Sequence, residues 1–185
     1  MHHHLTDGQR PGYIEEFLKF WTPRPEIEKV WFSIFTPQIG ADNIEILTPA
    51  QREQIVGELM DLRLRYPKLD MAHGMLKQFL KPPSSPDECI FAQTTETISA
   101  DLKTRITPCQ FGGEPDCSQC GCIASMGLAA VADHRLGGFI SVGGIFRASA
   151  RIGRVIGGDK PKTLPPPDVR PPEVRAPELV TISKR

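Results

Sequence analysis

Cys89, nineteen intervening residues, and then Cys109-Gln-Phe-Gly-Gly-Glu-Pro-Asp-Cys117-Ser-Gln-Cys120-Gly-Cys122 form the stretch from which the rest of the chain is best read. All five cysteines of the 185-residue chain fall inside it. A CxxC turn sets two sulfurs on one side of a tight loop, near enough to hold one metal ion or one cluster. Residues Thr95–Thr107 predict a short β-hairpin, with Ala100-Asp101-Leu102-Lys103 near its turn and Cys109 ending its second strand. With Cys89 just ahead of the first strand, the hairpin delivers a second pair of thiols. Gly112, Gly113 and Gly121 are expected to leave backbone N–H groups free to approach thiolate or sulfide sulfur.

The compartment bears on what the thiols do. The N-terminus shows no apolar signal-peptide region. The longest uncharged apolar runs, Cys122–Ala132 and Leu136–Phe146, are too short to span a bilayer. A cytoplasmic protein without a transmembrane segment is expected, and in a reducing compartment clustered thiols read as metal ligands rather than disulfides. Lys and Arg total 22 and Asp and Glu total 22, so no electrostatic footprint for nucleic acid is visible.

Three kinds of chemistry fit the residues. Structural zinc uses Cys₄ sites with CxxC knuckles. A dithiol redox site needs Cys117 and Cys120 alone and leaves Cys89 and Cys109 unexplained. An iron–sulfur cluster takes four cysteines at irregular spacing, often with proline beside a ligand, as Pro108 is here. The candidate ligands are Cys89, Cys109, Cys117 and Cys120, with Cys122 as the alternative fourth. The Cys117–Cys120 spacing, the usual chelating turn, favours Cys120.

Upstream, Pro11 opens a helix with Ile14, Phe17, Leu18 and Trp21 on one face, and Pro23 and Pro25 stop it. Lys29–Phe35 is a nearly continuous apolar run, the pattern of a strand buried on both faces of a parallel sheet. Thr48-Pro49-Ala50-Gln51 then reads as an N-cap, a first-turn proline and a capping-box glutamine. The helix it starts runs to about Tyr66 and buries Ile55, Leu59 and Leu62. Helix, buried strand, helix is the rhythm of an α/β layered or barrel fold, yet residues 1–80 supply only about two units of one. Lys81-Pro-Pro-Ser-Ser-Pro86 is a linker. A cysteine-rich module follows over 87–157, with helices over Ala124–Val131 and near Ile145–Ile156. Seven prolines between Pro161 and Pro177 mark residues 158–185 as a disordered or polyproline tail.

The order of these features resembles the C-terminal part of a radical S-adenosylmethionine enzyme. In such enzymes a partial (β/α) barrel is often followed by an auxiliary cluster-binding extension of the SPASM or twitch type. That extension begins with a cysteine, makes a hairpin, closes on Pro-Cys and continues through a cysteine-rich loop into a helix. Cys89, the Thr95–Thr107 hairpin, Pro108-Cys109, Cys117-Ser-Gln-Cys120-Gly-Cys122 and the helix after Ile123 follow the same order, and the resemblance covers about residues 11–156. Val30–Pro37 looks like a late barrel strand with its exit loop, and Thr48–Tyr66 like the barrel helix after it. The resemblance implies a [4Fe–4S] cluster on the cysteines, serving radical or redox chemistry on an unknown substrate.

Two features depart from the family pattern. Its hairpin turn usually holds a glycine, where this chain has Asp101-Leu102-Lys103. The CxxxCxxC motif that holds the S-adenosylmethionine-reducing cluster is absent, since no cysteine precedes Cys89. The expectation is a fragment from a truncated or split gene, not active alone. S-adenosylmethionine would bind only in an intact or complemented barrel, and the expected partner is a missing N-terminal half-barrel or a second copy. The rival reading is a non-catalytic structural zinc module mediating protein contacts.

Other residues carry the plainer reading. His2, His3 and His4 look like a tag remnant or a frayed start rather than ligands. His73 and His134 lack a neighbouring partner in sequence. Trp31 and Phe32 belong to strand packing rather than a substrate face. Arg147, Arg151 and Arg154 recur at roughly helical spacing and could meet a phosphate or an anionic lipid, though a solvated helix face accounts for them. Asp133, Arg135 and Glu114 form no catalytic grouping.

Overall fold

A backbone N–H removed from water must find a partner, so an apolar run buried on both faces needs neighbours on both of its edges. The structure is a computed structural model describing residues 2–5 and 10–158, and in it the run forms strand β2, Trp31–Ile34. Along a strand, successive N–H groups point to opposite edges. Those of Val30, Phe32 and Ile34 share one edge. They reach the Lys68 carbonyl at 2.7 Å, Met71 Sδ at 3.4 Å and the Gly121 carbonyl at 3.0 Å. The other edge pairs in parallel with strand β1, His2–Leu5, in a register running from His2 opposite Trp31 to Leu5 opposite Ile34. The frayed start expected for His2–His4 is thus corrected. An open edge beside a buried strand is a row of unpaired backbone groups, and backbone pairing accepts a polar sequence as readily as an apolar one.

Helix α1, Tyr13–Trp21, lies between β1 and β2, with Ile14 and Leu18 buried. The Phe17 ring meets that of Phe32 edge-on at 5.4 Å. Helix α2, Pro49–Arg65, follows β2 and starts as its sequence dictates. The Thr48 hydroxyl accepts from the Gln51 N–H while the Gln51 side chain accepts from the Thr48 N–H, closing the capping box. Its buried face is Arg52, Ile55, Val56, Leu59 and Leu62. After α2 the chain returns parallel to β2 at Leu69, bridged to Val30. Two β-α-β steps thus place segments consecutive in sequence side by side. Each sheet among the described residues has two strands, so the α/β character stands without a closed barrel.

Helix α3, His73–Gln78, was not anticipated, being too short to show a helical period. Helix α4, Ile90–Thr94, begins directly after Cys89. Strands β3, Thr97–Ile98, and β4, Arg105–Ile106, form the expected antiparallel hairpin, and its β4 strand ends before Cys109, across a cis Thr107–Pro108 peptide. Its turn puts Leu102 at φ 57°, the left-handed region where glycine sits without cost. The Asp101 carboxylate holds that turn, accepting from the N–H groups of Lys103 and Thr104, each at 2.9 Å. Helix α5, Ile123–Ala132, a small hairpin of β5, Arg135–Leu136, and β6, Ile140–Ser141, and helix α6, Val142–Gly157, complete the described chain. Beyond Gly158, the expected tail lies outside the described residues. Cys120, Cys122 and Met126 belong to the same buried cluster as Leu18, Phe32 and Leu59, so the segments on either side of Lys81–Pro86 share one core.

Candidate metal centre

Where the 68–71 segment leaves the edge of β2, the cysteine loop takes its place. The Ile34 N–H donates to the Gly121 carbonyl, and the Gly121 N–H donates to Thr36 Oγ1 at 2.9 Å. On one side of that contact the Ile123 N–H donates to Ser33 Oγ at 3.3 Å. On the other, the Asp116 N–H donates to the Pro37 carbonyl at 2.9 Å and the Ile39 N–H to the Glu114 carbonyl at 2.8 Å. The loop is laid along β2 and its continuation as a strand would be. Only glycine permits this at position 121, because a Cβ there would fall 2.1 Å from the Ile34 carbonyl oxygen. Gly121 therefore spends its N–H on Thr36, and Gly112 donates its own to the Cys109 carbonyl. The expectation that these two groups approach sulfur is corrected: the loop needs them to hold its own path.

The thiols come from four places. Cys89 is the N-cap of α4, and its sulfur lies 3.1 Å from Ser125 Oγ on α5. Cys109 follows the cis proline. Cys117 opens a single 3₁₀ turn, Cys117–Gln119, whose N-cap is Asp116. Cys120 and Cys122 flank Gly121, and Cys122 is the N-cap of α5. Its sulfur accepts from Gln110 Nε2 at 3.0 Å. All five cysteines are free, and all five line one small pocket of about 20 Å³ that is partly open to solvent. Cys89, Cys120 and Cys122 are buried in its floor, whereas Cys109 and Cys117 are half-exposed. The other walls are apolar or neutral, among them Phe91, Phe111 and Pro115, and no charged side chain lines the pocket.

Burial penalises a thiolate, so the Cys120 thiol is pushed up to about 12 and those of Cys117 and Cys122 are also raised. Mutual proximity adds to this: Cys117 feels Cys109 and Cys89, Cys120 feels Cys122, Cys89 and Cys117, and Cys122 feels Cys89 and Cys109. The thiols are therefore near enough to feel one another's charge. Among the described residues no three His, Cys, Asp or Glu side chains close on a single point as a lone ion requires.

One buried cation stands behind the loop. Arg52, 7% exposed, extends from the first turns of α2. It donates to the Gln119 carbonyl at 2.7 Å, the Cys120 carbonyl at 2.9 Å and the Phe79 carbonyl at 3.1 Å. Its hydrogen-bond partners are carbonyl oxygens rather than a carboxylate. Burial pulls the guanidinium down from its ordinary value, and nearby Cys120 and Asp116 pull it back. No family model, curated protein or solved structure matches the chain.

The structure brings together all five sequence-predicted cysteines, and leaves His73 and His134 exposed and away from the pocket. Glu114 is also exposed and serves the loop through its backbone, and Asp133 accepts from Gln78 Nε2. Phe32 is fully buried against Phe17, as strand packing implied. Sequence reasoning missed Arg52, Thr36, Gln110 and Ser125. One signal was present for Arg52: a cation in the first turns of a helix opposes the macrodipole, so an arginine there asks for a second reason. The other three are ordinary polar residues until the fold sets them beside a thiol.

Proposed function

We propose that this chain binds an iron–sulfur cluster of the [4Fe–4S] type through Cys89, Cys109, Cys117 and Cys120, with Cys122 as the alternative fourth ligand. The observation that carries it is the convergence of all five thiols, from separate elements, on one pocket with otherwise apolar or neutral walls. Five thiols on one pocket supply the four-cysteine donor set that a [4Fe–4S] cluster takes, with one to spare. Arg52 adds a positive charge where a cluster on four thiolates is negative, and it fixes the backbone of Cys120. Gln110 and Ser125 supply hydrogen bonds to sulfur, a known means of tuning a cluster's potential. When bound, such a group stores and passes single electrons.

In its setting we read the chain as a cytoplasmic part of a radical S-adenosylmethionine system, an auxiliary module behind barrel strands, acting on an unknown substrate. The consecutive parallel placement of β1, β2 and the Leu69 segment supports the barrel reading, because barrels wind their strands in sequence order. The chain has no CxxxCxxC, so the radical-initiating cluster and bound S-adenosylmethionine would have to come from a complementing barrel. The rival is a structural zinc module mediating protein contacts.

Five single Cys→Ser variants, reconstituted anaerobically with iron and sulfide and in parallel with zinc, test the reading. Iron and sulfide should be lost in the Cys89, Cys109 and Cys117 variants and partly kept in the Cys120 and Cys122 variants. Stoichiometric zinc uptake with no iron–sulfur absorption in the parent protein would establish the rival. Full cluster content in the Cys89 or Cys109 variant, or complete loss in the Cys122 variant alone, would defeat the ligand assignment.

A further inference from the structure

The last elements of the described chain expose an apolar surface with basic residues around it. Along α6, Ile145, Ile152, Val155 and Ile156 recur at i, i+7, i+10 and i+11, which sets them in one stripe. All four are exposed, Val155 at 80% and Ile156 at 81%. The opposite side of the helix is the one that packs. Gly143 is buried so tightly that a Cβ there would lie 3.0 Å from Ala132 Cβ and 3.4 Å from Ile90 Cδ1. Ahead of α6, the β5–β6 hairpin turns on Gly137 and Gly138 and carries Phe139 at 92% exposure, between exposed Leu136 and Ile140. Exposed large apolar side chains in such number on two adjoining elements signal an interaction site.

Charge identifies the partner. From Arg135 to Gly158 the sequence holds four arginines, at 135, 147, 151 and 154, and no aspartate or glutamate. Arg135, Arg147 and Arg151 are exposed. A second copy docked through the same stripe would bring the arginines of the two copies against one another. An apolar stripe beside an arginine face is instead the pattern of a helix lying in the plane of a membrane surface, its apolar side immersed and its cations at the headgroups. No helix of the described residues is long and apolar enough to cross a membrane, so such contact would be peripheral.

We propose that the β5–β6 hairpin and α6 form a docking face for bilayers containing anionic lipid. Phe139, Ile145, Ile152 and Ile156 enter the headgroup boundary, and Arg147 and Arg151 meet lipid phosphate and carboxylate. The inference uses none of the cysteines, and its test reads metal-loaded and metal-free protein alike.

The test is co-sedimentation of the full chain with vesicles of phosphatidylcholine alone and of phosphatidylcholine mixed with phosphatidylserine. Binding is expected to the mixed vesicles, weakly to phosphatidylcholine, and released by salt. Arg147→Gln and Arg151→Gln should each weaken partition roughly fivefold. Phe139→Asp with Ile152→Asp should abolish it, while circular dichroism matches the parent protein because both positions are exposed. No binding to mixed vesicles, equal binding to the two vesicle types, or arginine variants that bind as well as the parent would each overturn the proposal. So would a lipid-free dimer in sedimentation that Ile152→Asp dissociates, which would assign the face to a second copy.

Discussion

Adding one methyl group at Gly121 should disconnect the cysteine loop from the core. In Gly121→Ala the new Cβ would lie 2.1 Å from the Ile34 carbonyl oxygen, 2.4 Å from its carbon and 2.6 Å from its Cβ. These are atoms of a buried strand with partners on both edges, so the loop must yield, by roughly 1.3 Å or more to reach ordinary contact distance. The bonds at 3.0 Å from the Ile34 N–H and at 2.9 Å from the Gly121 N–H do not survive such a shift. A buried donor or acceptor left without a partner costs about 1–3 kcal/mol, so two broken pairs predict a loss of about 2–6 kcal/mol. That is a large part of the stability of a domain this size. The shift also moves Cys120 and Cys122 off the pocket, so reconstituted iron and sulfide per chain should fall with it. Gly57→Ala makes the same chemical change in α2, where a Cβ meets nothing within 4 Å. There helix propensity should raise stability by about 0.5–1 kcal/mol. Urea unfolding followed by tryptophan fluorescence compares the two variants with the parent. A Gly121→Ala protein with the parent's midpoint and full cluster content would refute the claim that the loop is held as a surrogate strand.

Arg52→Met, which keeps much of the volume but none of the donors, should destabilise by about 2–4 kcal/mol in urea unfolding, because three carbonyls lose their partner. Arg52→Lys, with one compact head, should fall between the two. Leu102→Gly should raise the thermal midpoint, corresponding to about 1 kcal/mol, because it relieves a left-handed residue in an exposed turn. The Asp101 carboxyl is held down at about 2 by the Thr104 hydroxyl and then the N–H groups of Lys103 and Thr104. A depressed carboxyl stabilises the folded turn above its unfolded value of 3.8, and that contribution is lost as pH falls toward 2. The Lys103 and Thr104 amide resonances should therefore move over that window, and Asp101→Asn should remove the movement.

Much of the chain was legible residue by residue, because local hydrogen bonds leave local patterns. The capping box at Thr48 and Gln51, the faces of α1 and α2, the buried run of β2 and the hairpin between Cys89 and Cys109 all depend on neighbours a few positions away. The clustering of five thiols likewise marked the candidate site before any coordinates, because all five cysteines fall in one stretch of the chain. What sequence could not supply was the pairing of distant backbone. Gly121 and Thr36 stand 85 residues apart in the chain, and their contact rests on a missing side chain and a hydroxyl, neither of which carries a periodicity. The same holds for β1, whose residues pair in parallel with β2 through the backbone. It holds for Arg52, whose partners are carbonyls that every residue possesses. Which thiols share a floor, what charge stands behind them and which apolar stripe stays uncovered are consequences of packing. Packing is decided by the whole chain at once rather than by any window along it.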